Sequence, residues 1–139
     1  MPYSIGRVFM FRVPEGVELL RYLNNYAEEN GIKMGVVNVI GFLKNVKLGY
    51  YDISSGKYIV NELNGYYELA SGMGNISLKD GKPFTHLHVV LGDRSARSYA
   101  GHLIEGTVQV AEVYIQEIIG EPLLERKHTT GNLWLWPIQ

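Results

Sequence analysis

The hydrophobic positions of the first thirty residues predict one strand followed by one helix. Residues 5–13 are rich in Val and Phe, which favour pleated strands, and Pro14 and Gly16 interrupt that run. Apolar residues then recur at helical spacing, at Val17, Leu19, Leu20, Leu23, Tyr26 and Ala27. Because Asn30 and Gly31 form a typical stop signal, we expect the helix to end there.

After Gly31 the pattern changes to strands and turns. The segments typical of strands are residues 36–43, 46–51, 65–71, 75–78, 85–91 and 107–119. We expect Gly72-Met73-Gly74 to form a bend, and Asp80-Gly81 to form a hairpin turn, because a type I′ turn needs positive φ at both central residues. These elements predict a single α+β domain over residues 1–139, mainly an antiparallel β-sheet with one long helix packed on it.

The last apolar run, residues 133–136, predicts a strand with bulky side chains on both faces. Trp134 and Trp136 share one face, and Leu133 and Leu135 share the other. A small sheet with one helix covers one such face easily, so the second is covered either by the domain's own core or by another subunit. We expect a homo-oligomer, because aromatic side chains carry much of the energy at subunit interfaces.

Composition narrows the possible functions of the chain. A formal net charge of -1 gives little support to a sequence-independent grip on nucleic acid, which needs an excess of Lys and Arg. The absence of cysteine excludes disulfides and thiolate catalysis, so any metal takes nitrogen and oxygen ligands. Since neither a secretory signal nor an apolar run of roughly 18 residues is visible, we expect a cytoplasmic protein with no membrane partner.

Three histidines form the best candidate site. In a strand over residues 85–91, His86 and His88 are two positions apart and share one face, while Leu87 points the other way. His102 is the obvious third partner, and Gly101 before it permits a close backbone approach or a bulge. Imidazole is a preferred zinc ligand, and three histidines with an open fourth position form a catalytic type of zinc site. The alternative is a set of hydrogen-bonded histidines with no ligand.

Other polar residues are weaker candidates. Glu68, in an apolar strand, either faces solvent or serves the site as an acid, base or ligand, and it is a candidate catalytic residue together with Arg97. Arg94 and Arg97 lie between the two histidine segments, where they either bind an anionic substrate near the metal or are ordinary exposed loop residues. His128 lies in a charged stretch and is expected on the solvated surface.

Several motifs in this order resemble the PPC domain, the plants and prokaryotes conserved domain. They are Gly-Tyr-Tyr-Glu-Leu-Ala-Ser at residues 65–71, Gly-x-Gly-Asn-Ile at 72–76, Gly-Lys-Pro-Phe-Thr-His-Leu-His at 81–88 and Gly-His-Leu at 101–103. The segments at residues 32–35 and 40–41 are also similar. The resemblance implies a central antiparallel sheet and assembly as a homotrimer.

The resemblance also implies two functional directions. In plants, similar domains follow an AT-hook that contacts DNA, and this chain has no such Arg-Gly-Arg arm; prokaryotic relatives are often described as predicted DNA-binding proteins. The fold is also similar to that of acetolactate decarboxylase, in which a His-x-His pair and one further histidine hold zinc. The carboxylates and the arginine of that enzyme do not map onto this chain, so decarboxylation does not follow.

We therefore expect a metal-binding domain with Zn²⁺ at His86, His88 and His102, binding or converting a small oxyanion-bearing molecule. A metal-dependent lyase or hydrolase would use the zinc ion to polarise a carbonyl or to activate water. Two alternatives remain open. In the first alternative the chain is a DNA-associated regulator acting as a trimeric interaction module. In the second it is an assembly module with a vestigial site.

Overall fold

Seven strands and one helix make up residues 2–138, the part of the chain that the computed structural model describes. In chain order they are β1 (Ser4–Arg12), α1 (Leu19–Glu29), β2 (Gly35–Asp52), β3 (Lys57–Lys79), β4 (Lys82–Gly92), β5 (Ser98–Ile119), β6 (Glu125–His128) and β7 (Trp134–Leu135). The strand-then-helix start and the mainly antiparallel sheet are as the sequence predicts.

The helix α1 is amphipathic and short. Its buried residues are Leu19, Leu23 and Ala27, which are four positions apart and so lie on one face. The carboxylate of Glu18 caps the start by accepting hydrogen bonds from the backbone N–H groups of the first turn, and Asn30 caps the end. With 11 residues, about three turns, the helix is shorter than the long helix expected. No helix among residues 2–138 has the length and hydrophobicity to cross a membrane.

The strands β2 and β3 are longer than the sequence pattern indicates. The two segments predicted over residues 36–51 join into one strand, whose pairing with β3 shifts register between Val39 and Gly41 and between Lys44 and Val46. The bend expected at residues 72–74 is wrong, because these residues pair with β2 and β4 inside a continuous β3. Glycine is needed at Gly74 because a Cβ atom there would collide with the backbone carbonyl of His86. The turn at Asp80 and Gly81 is confirmed, with φ values of 52° and 76°.

The four long strands close on themselves. β2 pairs with β3, β3 with β4, β4 with β5 and β5 with β2, all antiparallel. Side chains that alternate inward from these strands fill the interior together with one face of α1, among them Leu43, Leu69, Leu87, Leu91, Leu103 and Ile115. The buried positions of β4 are Thr85, Leu87, Val89 and Leu91, which alternate along the strand. Because these side chains point inward, the residues between them project from the outer surface.

The C-terminal segment lies along the free edge of β3. β6 pairs in parallel with β3 through Leu78 and Lys79, and β7 pairs with β6. The indole N–H of Trp136 donates to the hydroxyl of Ser77 over 2.9 Å. The segment is thus held by its own domain, with β7 only two residues long and Trp136 still 38% exposed.

Candidate metal centre

The pleat of β4 presents two of the three histidines on one face. Leu87 and Val89 point into the core and are 0% and 2% exposed, so His86 and His88 project from the opposite side. The pairing of β4 with β5 then places His102 directly opposite His88. The three histidines predicted from the sequence therefore meet on the outer surface of two neighbouring strands.

The three side chains are close enough to share one ion. One ring nitrogen from each histidine lies within 4.8 Å of the others. The Nε2 atoms of His86 and His88 are 3.2 Å apart, and the ring centroids of the three residues are separated by 5.0 to 5.6 Å. Nitrogens spaced in this way suit ligands about 2.0–2.1 Å from a common zinc ion.

The surroundings of His86 and His102 favour the neutral form of both imidazoles. Burial, assisted by the positive charge of Arg126, lowers the pKa of His86 to about 4. Burial also lowers the pKa of His102. A neutral imidazole has a lone pair for a metal ion, so protons compete little with a metal at neutral pH. In addition, Nδ1 of His102 is buried and has no hydrogen-bond partner among residues 2–138, as expected for a nitrogen that lacks its ligand.

Arg126 of β6 is a site residue that the sequence did not indicate. It is 5% exposed, and its guanidinium contacts His86, with Nη2 3.3 Å from Nδ1. The same group donates to the side-chain oxygen of Asn75 over 2.7 Å and to the backbone carbonyl of Trp134 over 3.2 Å. Arg126 thus joins the histidine cluster to the C-terminal segment.

A cavity of about 260 Å³ opens beside the histidines. Its walls combine positively charged, aromatic and aliphatic side chains, contributed by Tyr58, Lys79, Phe84, Arg126, Asn132, Leu133, Trp134 and Leu135 in addition to the three histidines. The ring of Tyr58 lies 5.3 Å from that of His102. The Nζ atom of Lys79 lies over the rings of Phe84 and Trp134, at 4.8 and 4.5 Å. This cavity is of a size for a small molecule and adjoins the candidate metal site.

The structure places the weaker candidates elsewhere. Glu68 is exposed and borders a different cavity together with Arg94. Arg97 is exposed and pairs with Asp93 over 3.1 Å within the loop between β4 and β5. Neither Glu68 nor Arg97 lines the histidine cavity, and a catalytic role for them stays a prediction. His128 is exposed, as expected.

Local sequence carries no signal for Arg126 or Tyr58. Arg126 belongs to a run of charged residues, a composition typical of solvated surface, and its burial results from the return of the C-terminal segment over it. Tyr58 is one of ten tyrosines and is brought to His102 only by the pairing of β2 with both β3 and β5.

Comparison with known proteins agrees with the motifs. The profile of the Plants and Prokaryotes Conserved (PCC) domain, the PPC domain of the sequence analysis, matches residues 2–119. The crystal structure of a plant- and prokaryote-conserved protein from Pyrococcus horikoshii is similar, with 48% identity, a TM-score of 0.96, and coverage of 99% of this chain and 96% of the other. No curated protein matches this chain in sequence.

Two further structures bear on the site and the fold. A metal-containing protein from Archaeoglobus fulgidus is 35% identical, with a TM-score of 0.92 and coverage of 99% of this chain and 97% of the other. Acetolactate decarboxylase from Bacillus subtilis is 11% identical with a TM-score of 0.59, and the match covers 88% of this chain and 57% of the enzyme. The second likeness is one of fold alone.

Proposed function

This chain belongs to the Plants and Prokaryotes Conserved domain family, and on that premise we propose that it is a metal-binding protein in which His86, His88 and His102 hold one Zn²⁺ ion. The observation that carries the proposal is the convergence of three imidazoles within 4.8 Å from two paired strands. A shared metal ion makes such crowding of two partly buried imidazoles and one exposed imidazole favourable.

The donor set fits zinc. All three ligands are imidazole nitrogens, the chain has no cysteine to complete a closed structural shell, and the unpartnered Nδ1 of His102 is a buried polar atom in need of a ligand. A bound zinc ion would supply Lewis acidity at a fourth, open position. The relative from Archaeoglobus fulgidus, at 35% identity, is described as metal-containing, which supports a bound metal without naming the ion.

We propose ligand binding at this centre and leave the reaction type, lyase or hydrolase, as a prediction. No Asp or Glu among the described residues lines the histidine cavity, so no carboxylate is available there as an acid or base. The chain itself contributes three imidazoles, the phenol of Tyr58 and the cationic side chains of Lys79 and Arg126. These groups can bind and orient a small molecule.

We also propose that the chain assembles with copies of itself, as a homotrimer. Support comes from large apolar side chains on the outer face of the sheet, where Met10, Ile40 and Met73 are 78%, 54% and 60% exposed. The number three comes from the family resemblance. A trimer serving as a DNA-associated regulator is the second candidate, favoured only by structures of candidate DNA-binding proteins at 22% and 23% identity, which share the fold.

Metal content tests the proposal directly. Protein purified without a histidine tag should contain about one zinc ion per chain by elemental analysis, the stoichiometry of a single three-histidine site. His86→Ala, His88→Ala and His102→Ala should each lower the zinc content, whereas His128→Ala, a histidine change outside the cluster, should not. Zinc content that survives both His86→Ala and His88→Ala would overturn the site.

A further inference from the structure

The wall beside the histidines carries a buried positive charge that no acidic side chain balances. Arg126 is 5% exposed, and all three of its side-chain hydrogen bonds go to neutral groups, on Trp134, Asn75 and His86. Its Nε atom is buried and has no partner among residues 2–138. A buried arginine is normally paired with a carboxylate, because an unpaired charge is costly to remove from water.

Lys79 adds a second positive charge to the same wall. Its ammonium group lies over the rings of Phe84 and Trp134, and within the described part of the chain it has no carboxylate at salt-bridge distance. The whole chain has 14 acidic residues and a net charge of -1, yet no described acidic residue lines this cavity. The cavity is therefore positively charged, although the whole chain has a slightly negative net charge.

A metal ion would make Arg126 still more deficient in acceptors. A neutral imidazole has one nitrogen with a free lone pair, which serves either a hydrogen-bond donor or a metal ion. If His86 ligates a metal through either nitrogen, it can no longer accept from Nη2 of Arg126. The guanidinium then has a further N–H group without an acceptor, in the wall of the cavity that the histidines also line.

We propose that Arg126 is the anion-recognition residue of this centre and that the cavity binds a small organic oxyanion with an apolar body. The inference rests on the proposed metal-binding function and adds the ligand class. The oxyanion would accept from the guanidinium, which favours carboxylate and phosphate groups in a forked geometry. The apolar part would lie against Leu133 and Trp134, and a cavity of about 260 Å³ limits the ligand to a small molecule.

Tryptophan fluorescence can report binding, because both tryptophans of the chain, Trp134 and Trp136, lie in the segment that borders the cavity. The probes are benzoate, its neutral isostere benzamide, and inorganic phosphate, each titrated into zinc-loaded and metal-free protein. We expect benzoate to bind more tightly than benzamide. Arg126→Met should weaken the affinity for benzoate by roughly tenfold or more, because a charge-assisted hydrogen bond is lost. The affinity for benzamide should change little.

The matched control is Lys127→Met, which removes a positive charge from the next residue, on the exposed side of β6. It should leave benzoate affinity unchanged. If Arg126→Met does not fold, Lys79→Met tests the same wall without breaking the contacts of Arg126, and it should weaken benzoate in the same direction. If phosphate competes with benzoate in the wild-type protein but not in Arg126→Met, the result would also support an oxyanion as the ligand.

Two results would overturn the inference. One is benzoate affinity that Arg126→Met and Lys79→Met leave unchanged, and the other is benzamide affinity equal to that of benzoate. The failure of the proposed function is distinct from these. If the protein takes up no zinc, the proposed metal-binding function is wrong. The effect of Arg126 on benzoate affinity is then still measured, on the metal-free protein.

Discussion

His88 lies directly opposite His102 in the antiparallel pairing of β4 with β5. A zinc ion held by both would cross-link the two strands, so we expect zinc to raise the thermal unfolding midpoint. Free zinc at 100 times its Kd would add about 2.7 kcal/mol to the free energy of unfolding. Differential scanning calorimetry with zinc and with a chelator measures the shift. His102→Ala should lose it and His128→Ala should keep it; an equal shift in both variants contradicts the cross-link.

Substitution of Gly74 should damage both the sheet and the site. A Cβ atom there meets the backbone of His86, so β3 and β4 must separate in Gly74→Ala. We expect a loss of about 1–3 kcal/mol in the free energy of unfolding, the range for overpacking, measured by urea denaturation, together with a lower zinc content. Gly92→Ala is the control, because a Cβ there makes only an ordinary contact with Glu68, at 3.9 Å. Equal losses in the two variants would argue against this explanation.

The stability of the fold should fall at acidic pH through Glu117. This carboxylate is 7% exposed, and hydrogen bonds from Arg7 lower its pKa below the ordinary value of about 4.3. A depressed folded-state pKa stabilises the fold above the unfolded-state value, and that contribution disappears as the pH falls through the folded-state value. Urea midpoints of wild type and Arg7→Met should therefore differ at pH 7. The difference should shrink as the pH falls below the ordinary carboxyl value and disappear below the folded-state pKa of Glu117. If the difference in urea midpoint persists unchanged at low pH, the Arg7–Glu117 pair is not its cause.

Duplex DNA should bind weakly to this chain. The net charge of -1 provides no general attraction to phosphate groups. Fluorescence anisotropy at about 150 mM salt should show no complex near the specific affinities of about 10 nM or tighter typical of DNA-binding proteins. A tight, sequence-selective complex would falsify this expectation and favour the regulator.

Assembly should depend on the outer face of the sheet. Light scattering of the wild-type protein should give about three times the chain mass of 15.7 kDa if the trimer implied by the family forms. Ile40→Lys, at a residue that is 54% exposed, should reduce the mass, and Ile53→Lys, in a turn and 88% exposed, should not. A monomeric wild-type protein would contradict the proposed homotrimer.

Sequence periodicity predicted the local features of this molecule well. The helix face of Leu19 and Leu23, the turn at Asp80 and Gly81, and the shared face of His86 and His88 all follow from rules that involve a few neighbouring residues. The Gly101-His102 pair also indicated the third histidine, and the family motif at residues 101–103 contains the same residues.

Long-range contacts account for what the sequence did not predict. Gly74 looks like a turn residue until the backbone of β4 is known to approach it, and Arg126 looks solvated until the C-terminal segment covers it. The place of residues 133–136 in the fold is likewise set by long-range contacts, and their role in a subunit interface stays a prediction. Their contacts with Arg126 and Ser77 come from the return of the chain to β3, which no local pattern encodes.

The residues that line the cavity come from two different parts of the chain. The histidines lie within residues 2–119, which match the family profile, whereas Arg126 and the wall formed by residues 132–135 lie beyond that match. Under the proposed function, substitutions in this C-terminal segment would change the wall that faces a ligand, while the strands that place the three histidines would stay as they are. Ligand selectivity could then vary separately from metal binding.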